Sequence, residues 1–292
     1  MNFYVSFFIL QMIGLSNMLL HVTGEGTDED YKKLSNKLVH LDEKVNKIKD
    51  TTSQIFKTLT QVDCSDLKDV PSGEYSFQLD HEGKRPVKVW CDQDTDGGGW
   101  TVIQQRKPKA TAESPLDFNK SWYDYKIGFG TPSDDYWVGL QNIHIWTNSR
   151  HYELRIELTS FGDENTSAFA HYKEFYLENE DNNYRIHVSG YKGTAGDALT
   201  GKGTSDKLRA NGMMFTTKDK DNDLSKDINC STEFGIGGWW FSSCSWANLN
   251  GPYYFPDENK DGGIGINWHT WKKNTFMKSA VMKIRPANRK HS

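Results

Sequence analysis

Ten positions, spaced alternately three and four residues apart, run without a break from Tyr31 to Val62. Nine of them are apolar, and no proline or glycine interrupts the run. A heptad pattern sustained over more than four repeats predicts a coiled-coil helix. The alternative is a helix that packs on its own domain. The positions are Tyr31, Leu34, Leu38, Leu41, Val45, Ile48, Thr52, Ile55, Leu59 and Val62.

The residue types in this heptad indicate how many helices assemble. The d positions include the β-branched residues Ile48, Ile55 and Val62. β-Branched residues at d disfavour a parallel dimer and favour three or more strands. Residues 31–62 therefore predict a homotrimer or higher oligomer, with Thr52 as a weak point in the seam.

The residues from Met1 to about Gly24 are largely apolar and end in small residues. This pattern predicts a secretory signal peptide, although no Lys or Arg precedes Lys32. The alternative is an uncleaved signal-anchor, since about 18 apolar residues can just cross a bilayer. We therefore expect a secreted, extracellular protein that does not insert into the membrane after cleavage.

Four cysteines, Cys64, Cys91, Cys230 and Cys244, form an even set that allows three pairings. Sequence proximity favours Cys64 with Cys91 and Cys230 with Cys244. None has the spacing of a structural zinc site. Sequons at Asn119 and Asn165 predict glycosylation, whereas Asn229 is a poor candidate because Cys230 occupies its middle position.

From Asp63 onwards, short runs of alternating apolar and polar residues predict β-strands. After Tyr191 the chain is rich in Gly, Asp and Asn and shows little periodicity. The predicted class is α+β, with a mostly antiparallel sheet beneath a loop-built face. The strand segments are GEYSFQLD, RPVKVWCD, GWTVIQQR, HYELRIELTSF, FAHYKEFYLE, NYRIHVSGY and SAVMKIRP.

Asp219, Asp221 and Asp223 share the alternate spacing that opens an EF-hand loop. The rest of that motif is missing, because Leu224 stands where the turn needs Gly and Cys230 where Glu belongs. An acidic loop of this kind can still bind calcium through carboxylates and later backbone carbonyls. The alternative is a solvated acidic turn.

A second group of aspartates, Asp92, Asp94 and Asp96, is followed by Gly97 in the position that an EF-hand expects. The loop leads directly into the strand segment GWTVIQQR, and its twelfth residue is Ile103. We therefore interpret these residues as a tight turn that starts a strand.

Composition and motifs exclude several classes of function. A net charge of −4 gives no basis for binding nucleic acid or an anionic membrane. The sequence lacks HExxH, a nucleophile elbow, a phosphate-binding loop and GxGxxG. We therefore expect a binding protein and not an enzyme.

Several separate motifs occur in the order seen in fibrinogen C-terminal domains, and the chain resembles that family from about Asp63 to Asn288. The motifs are DLKDVPSGEYSF, DGGGWTVIQQR, YWVGLQNIHIWT, FTTKDKDND, INC, GGWW, ANLNGPYY, GINWHTWK and MKIRP. The expected organisation is a signal peptide at 1–24, a coiled coil at 25–62 and a fibrinogen C-terminal-like domain at 63–288. This arrangement resembles ficolins, tachylectins and microfibril-associated proteins.

The resemblance implies a calcium site and a pairing of the cysteines. The side chains of Asp221 and Asp223 and the carbonyls of Ser225 and Asp227 would bind the ion, which leaves Asp219 as a turn or supporting residue. The family also pairs its cysteines as sequence proximity suggests.

In many members the resemblance also implies a pocket for acetylated sugars such as N-acetylhexosamines. A cis peptide before the second cysteine of the loop would aim N–H groups at the acetyl carbonyl, and aromatic rings would surround the methyl group. On this basis we expect a calcium-dependent lectin, with avidity from oligomerisation, in innate immune recognition. The predicted ligand-binding residues are Phe234, Ser243, Cys244, Ser245, Tyr253 and Gly262.

The sequence departs from the acetyl-binding pattern. Ser245 and Gly262 stand where His and Tyr are expected, and the aromatic of the disulfide loop aligns to Phe234 or Gly235. The alternative function is an extracellular protein-binding, peptide-binding or matrix module that uses the same face. The acidic residues Asp257, Glu258 and Asp261 would suit a cationic peptide.

Overall fold

The computed structural model describes residues 27–60, 62–79, 86–109, 115–161, 166–201, 208–233, 236–255, 264–273 and 275–287, without the side chains of residues 31 and 53–60. The predicted signal peptide lies outside these residues. So do three predicted site residues, Asn165, Phe234 and Gly262. The chain divides into two compact units, Met1–Thr60 and Gln61–Ser292.

The first unit contains the predicted helix, α1 (Asp28–Thr60). Thr27 caps it, because the Thr27 hydroxyl accepts the Asp30 N–H while the Asp30 carboxylate accepts the Thr27 N–H. Two of its core heptad positions are largely exposed in the single chain, Leu41 at 61% and Ile48 at 64%. The helix therefore presents an apolar stripe.

The second unit is built on a nine-stranded sheet. Its main path is β1-β2-β3-β11-β6-β7-β8, β5 pairs with β3 and with β4, and β9 pairs with β10 separately. All the described pairings are antiparallel. The strands are β1 (Gly73–Phe77), β2 (Val87–Asp92), β3 (Trp100–Arg106), β4 (Phe129–Gly130), β5 (Tyr136–Trp137), β6 (Tyr152–Ser160), β7 (Ser167–Leu177), β8 (Ile186–Gly193), β9 (Ala247–Asn248), β10 (Asn267–Trp268) and β11 (Met277–Pro286).

Three short helices accompany the sheet: α2 (Trp122–Ile127), α3 (Leu140–Ser149) and α4 (Cys230–Glu233). The α2 helix begins in a capping box, in which the Ser121 hydroxyl accepts the Asp124 N–H and the Asp124 carboxylate accepts the Ser121 N–H. The α3 helix contacts β7, where the Leu177 N–H donates to the Thr147 hydroxyl. The predicted α+β class with a mostly antiparallel sheet is confirmed.

The alternating pattern that predicted strands corresponds to alternating burial. Along β6 every second residue is buried, from Tyr152 to Ser160. Six tryptophans are among the largest fully buried side chains of the core: Trp100, Trp137, Trp146, Trp239, Trp240 and Trp268. The aromatic richness of the sequence is therefore largely a property of the core.

Both predicted disulfides are present, Cys64–Cys91 and Cys230–Cys244. The first joins the start of the domain to β2, and the second closes the loop that follows the predicted calcium segment. Among the described helices, none is both long and apolar enough to cross a membrane.

Candidate functional site

The segment with the aspartates and the second disulfide is anchored to the core by a bridge between Thr216 and Trp239. Each of these residues donates its N–H to the carbonyl of the other, at 2.9 and 3.1 Å. The Asn229 amide donates to the Thr217 carbonyl at 3.0 Å. The Leu224 N–H donates to the Ser242 carbonyl at 2.8 Å, which joins residues 218–227 to residues 242–246, and these two segments together are termed the loop face.

Two polar residues of β3 hold the backbone behind the loop face. The Gln104 amide donates to the Leu249 carbonyl at 2.8 Å, and the Arg106 Nη1 donates to the Gly251 carbonyl at 2.7 Å. Gly251 is required there, because a Cβ would lie 2.4 Å from the Gly265 carbonyl oxygen. The central strand therefore fixes the path of residues 249–251.

Asp223 is the structural centre of the predicted calcium loop. Its Oδ1 accepts the Ser225 N–H at 2.7 Å, and its Oδ2 accepts the Cys230 N–H at 2.8 Å. Asp221 accepts the Asp223 N–H at 3.2 Å. Burial raises the pKa of Asp223, and the neighbouring charge of Asp221 raises it further. The carboxylates of Asp221 and Asp223 therefore lie close together in this loop.

The chemistry of these donors fits calcium. The candidate ligands are two carboxylates, from Asp221 and Asp223, and the carbonyls of Ser225 and Asp227, and all are hard oxygen donors. No cluster of three or more His, Cys, Asp or Glu with a metal-binding arrangement occurs in the described part of the chain. Backbone carbonyls would therefore have to complete the coordination.

Asp219 has a different role from the other two aspartates. Its Oδ1 accepts the Trp122 N–H at the start of α2 and the Thr217 hydroxyl, both at 2.8 Å. The Lys220 ammonium lies 3.8 Å from the centre of the Trp122 ring. The turn thus fastens the loop face to α2, a contact that sequence reasoning did not predict.

The described residues of the predicted sugar pocket are Ser243, Cys244, Ser245 and Tyr253. The Ser243–Cys244 peptide bond is cis, as the resemblance implies. Ser243 is exposed, and the Leu224 N–H donates to the Ser242 carbonyl at 2.8 Å, which places Leu224 next to this loop. The Ser245 hydroxyl accepts the Ala247 N–H at 3.3 Å.

Tyr253 is largely buried and packs in the core of the domain. Its ring is 7% exposed and packs on Phe161 and Phe255. Its hydroxyl accepts the Lys109 N–H and donates to the Lys278 carbonyl, at 3.2 and 3.1 Å. Burial raises its pKa. The methyl-binding role predicted for this ring stays a prediction.

Sequence reasoning missed two side chains of the loop face. Leu224 is 59% exposed, although its residue type favours burial. Trp246 stacks on His269 with ring centres 4.1 Å apart, and its Nε1 has no hydrogen-bond partner in the described residues. An apolar residue inside a run of aspartates was the available signal for Leu224.

The second aspartate group forms a turn, as predicted. Asp92 accepts the N–H groups of Asp94 and Thr95, both at 3.0 Å, and the Thr95 hydroxyl at 2.7 Å. Its Oδ2 also accepts the Lys283 ammonium at 2.7 Å. Asp92 thus has its charge balanced by an ammonium group of the protein.

Of the two predicted glycosylation sites, Asn119 lies in the described chain. It is half-buried, and its carbonyl accepts the Lys218 ammonium at 2.8 Å. Ser121, the third residue of this sequon, is the N-cap of α2. Glycosylation at Asn119 and Asn165 stays a prediction.

The family model and the similar curated proteins identify the same type of domain. Residues 60–287 match the C-terminal globular domain of the fibrinogen beta and gamma chains. Human angiopoietin-2 is 35% identical over 89% of this chain and 50% of its own length. Human angiopoietin-1 is 39% identical over 77% of this chain and 42% of its own length. The chain thus spans about half the length of the curated relatives it matches.

Solved structures agree with these relatives. The fibrinogen-like globe domain of human ANGPTL2 has a TM-score of 0.67 and 34% identity, covering 77% of this chain and 99% of that one. Lamprey fibrin D-dimer complexed with the peptide ligand Gly-His-Arg-Pro-amide has a TM-score of 0.67 and 30% identity, covering 97% of this chain and 96% of that one.

The prediction of a calcium-dependent lectin for acetylated glycans in innate immune recognition is wrong. The similar proteins are angiopoietins and angiopoietin-like domains, which are not calcium-dependent lectins. The structure gives a physical reason, because Tyr253 is committed to the core and Ser245 replaces the expected His. These findings favour the alternative function.

Proposed function

The chain belongs to the fibrinogen C-terminal domain family, and on that premise we propose that it binds another extracellular protein through its loop face. The family is non-enzymatic, which confirms that the chain is not an enzyme. The predicted extracellular location is confirmed by the angiopoietin relatives. The side chains of the loop face indicate which kind of protein binds there.

The observation that carries the proposal is an exposed apolar side chain on that face. Leu224 is 59% exposed, and its backbone N–H is fixed by the Ser242 carbonyl at 2.8 Å. An apolar side chain held on a fixed loop between exposed charged residues offers a partner protein an apolar contact inside a polar rim. A sugar site would instead need polar groups aimed into a cavity.

The surrounding charges favour a cationic segment of the partner. Asp227 is exposed near Leu224, and its carboxylate is not one of the proposed calcium ligands. The related lamprey fibrin structure holds a peptide that contains an arginine, which is a precedent for cationic peptide binding on this fold. The partner expected here therefore combines an apolar contact for Leu224 with Lys or Arg side chains.

Calcium binding is part of this proposal. The Asp221 and Asp223 carboxylates and the Ser225 and Asp227 carbonyls would hold the ion. Bound calcium would neutralise the two neighbouring carboxylates and cross-link the loop that carries Leu224. The hydrogen bonds that the Asp223 carboxylate accepts from the N–H groups of Ser225 and Cys230 keep the loop that carries Leu224 in place.

Oligomerisation through residues 31–62 is the third part. The relatives support assembly into oligomers, and the β-branched d positions support a trimer as the specific form. Linking several heads raises the overall affinity by about two to four orders of magnitude when the partner presents several sites. An oligomer can then bind its partner tightly even though each single loop face binds it weakly.

The test is a binding screen of the full chain against a panel of displayed extracellular receptor domains, in parallel with a glycan array. We expect saturable binding to at least one domain, lost in Leu224→Asp. The matched control is Tyr176→Asp, which changes an exposed aromatic on β7, outside the loop face. Glycan signals inhibited by N-acetylhexosamine, without any domain binding, would contradict the proposal.

A further inference from the structure

The Cys230–Cys244 disulfide is connected to the loop face at both of its ends. The Cys230 N–H donates to the Asp223 Oδ2 at 2.8 Å. The Cys244 carbonyl accepts the Ser242 N–H at 2.7 Å, and the Ser242 carbonyl accepts the Leu224 N–H at 2.8 Å. Because Asp223 and Leu224 are neighbours in sequence, these hydrogen bonds and the disulfide close one ring. The position of Leu224 therefore depends on this disulfide.

The two disulfides of the domain differ in their access to solvent. Cys64 and Cys91 are both fully buried. Cys230 is also fully buried, whereas its partner Cys244 is half-buried. Buried structural disulfides resist reduction, and exposed ones are the labile or regulatory ones. A reductant therefore reaches this pair from the side of Cys244.

The residues beside Cys244 leave room for a reductant. Ser243, which precedes it, is exposed, and Ser245, which follows it, is half-buried and also small. The chain has four cysteines and both pairs are formed, so no thiol of this chain can attack the bond. The reductant is therefore an external dithiol.

The turn at 242–245 is anchored on both sides by contacts that do not involve the disulfide. Before the turn, the side chains of Trp240 and Phe241 are buried in the core. After it, the Trp246 N–H donates to the Leu208 carbonyl at 3.0 Å. Loss of the disulfide therefore releases a short turn and leaves the rest of the domain folded.

We propose that the Cys230–Cys244 disulfide is a redox-sensitive switch of the loop face. In the oxidised chain, the ring holds Leu224 in the position at which a partner contacts it. Reduction by a dithiol opens the ring, releases the turn at 242–245 and weakens that contact. The inference rests on the proposed function, because it gives that function a means of regulation. The buried Cys64–Cys91 disulfide stays intact.

The reduction proceeds by two thiol–disulfide exchanges. A thiolate of the dithiol attacks the Cys244 Sγ and forms a mixed disulfide with it. The bond between the two cysteines breaks, and its electron pair leaves on the Cys230 Sγ, which takes up a proton. The second thiol of the reductant then attacks the mixed disulfide and releases Cys244 as a thiol. Two electrons pass to the protein, and the dithiol becomes a disulfide.

The experiment treats the full chain with dithiothreitol, quenches samples with iodoacetamide at intervals and maps the alkylated cysteines by mass spectrometry. We expect the Cys230–Cys244 pair to be reduced about tenfold faster than the Cys64–Cys91 pair, which is the control within the same molecule. Equal rates for the two pairs would overturn the proposal. The binding screen uses only the oxidised chain, so failure of the proposed function and failure of the switch are distinguishable.

Hydrogen exchange of the oxidised and the selectively reduced chain measures the effect on the loop face. The amides of Leu224, Ser225 and Cys230 should exchange about tenfold faster after reduction, and the amides of β6 should exchange as before. The double variant Cys230→Ser, Cys244→Ser should reproduce the reduced pattern. Unchanged exchange at Leu224 would overturn the proposal. Faster exchange in β6 would overturn it as well, because the disulfide would then hold the whole fold together.

Discussion

Arg106 is a buried cation that holds the backbone behind the loop face. Its side chain is fully buried, stacks 4.0 Å above the Phe118 ring and donates to the Gly251 carbonyl. Its Nε lies 3.6 Å from the Asp135 carboxylate, which is also buried. A buried charge is tolerated only with its partner nearby, so each of these residues needs the other.

We predict that Arg106→Leu destabilises the domain by about 3–5 kcal/mol, because it removes a buried cation beside Asp135, which then keeps Lys109 at 3.5 Å as its ion-pair partner, and it also removes the hydrogen bond to the Gly251 carbonyl. Urea unfolding followed by tryptophan fluorescence measures the loss. The double variant Arg106→Leu, Asp135→Asn also removes the buried carboxylate charge and should recover part of the stability. A double variant no more stable than the single one would contradict this account.

The lowered pKa of Asp92 makes the stability of the domain depend on pH in the acid range. Partial burial raises the pKa of Asp92, but hydrogen bonds from Lys283 and Thr95 outweigh it and lower the pKa to about 2. The folded-state pKa is thus below the unfolded value of about 3.9. The resulting stabilisation is fully present above pH of about 4 and is lost as the pH falls through about 2.

We therefore predict that the wild-type free energy of unfolding falls more steeply between pH 5 and pH 2 than that of Asp92→Asn. The difference should be about 1 kcal/mol, reduced by solvent screening because the carboxyl is only half-buried. Urea titrations at both pH values measure it. Parallel pH profiles for the two proteins would show that Asp92 contributes nothing.

Among the elements, the long strands and α1 could be predicted from sequence, and the short elements could not. Alternation over nine residues in β6 corresponds directly to alternating burial. By contrast, the N-cap of α3 is Gly139, which has no side chain to cap the helix. The helix also contains Ile143, Ile145 and Trp146, so its sequence is equally suited to a strand. Two-residue strands such as β4 carry no periodicity at all.

In the candidate site too, local features could be predicted from the sequence and long-range contacts could not. The cysteine pairs and the aspartates are local in sequence and could be predicted. The burial of Tyr253 depends on contacts with Lys109 and Lys278, and the path of the loop at Leu249 depends on Gln104, 145 residues earlier. Contacts over such distances are set by the tertiary fold and leave no local pattern.

The α1 helix supports a prediction at the scale of one element. The exposed Leu41 and Ile48 belong to the d positions of the heptad, and charge at d is not tolerated in a coiled-coil seam. Sedimentation equilibrium of the wild-type chain should give a trimer, and Leu41→Asp with Ile48→Asp should give a monomer. Lys47→Asp, at an outer position, should stay trimeric. A monomeric wild type would contradict the assembly.

For the whole molecule, the two aspartate groups provide a matched comparison of calcium linkage. A ligand that binds only the folded state stabilises it by about 2.7 kcal/mol at 100 times its Kd. For a domain of this size, that corresponds to a rise in Tm of roughly 5–10 °C. Asp221 accepts the Asp223 N–H, so these two aspartates lie together in their loop, whereas Asp92 in the other group is paired with Lys283.

We therefore predict that calcium raises the Tm of the wild-type chain, and that Asp221→Ala with Asp223→Ala abolishes the rise. Asp94→Ala with Asp96→Ala removes the same number of charges from the turn near Lys283 and should keep the full shift. Differential scanning calorimetry with calcium, with magnesium and with EDTA measures all three proteins. A calcium shift that survives the loss of Asp221 and Asp223 would place the ion elsewhere, and Leu224 would then lose its proposed support.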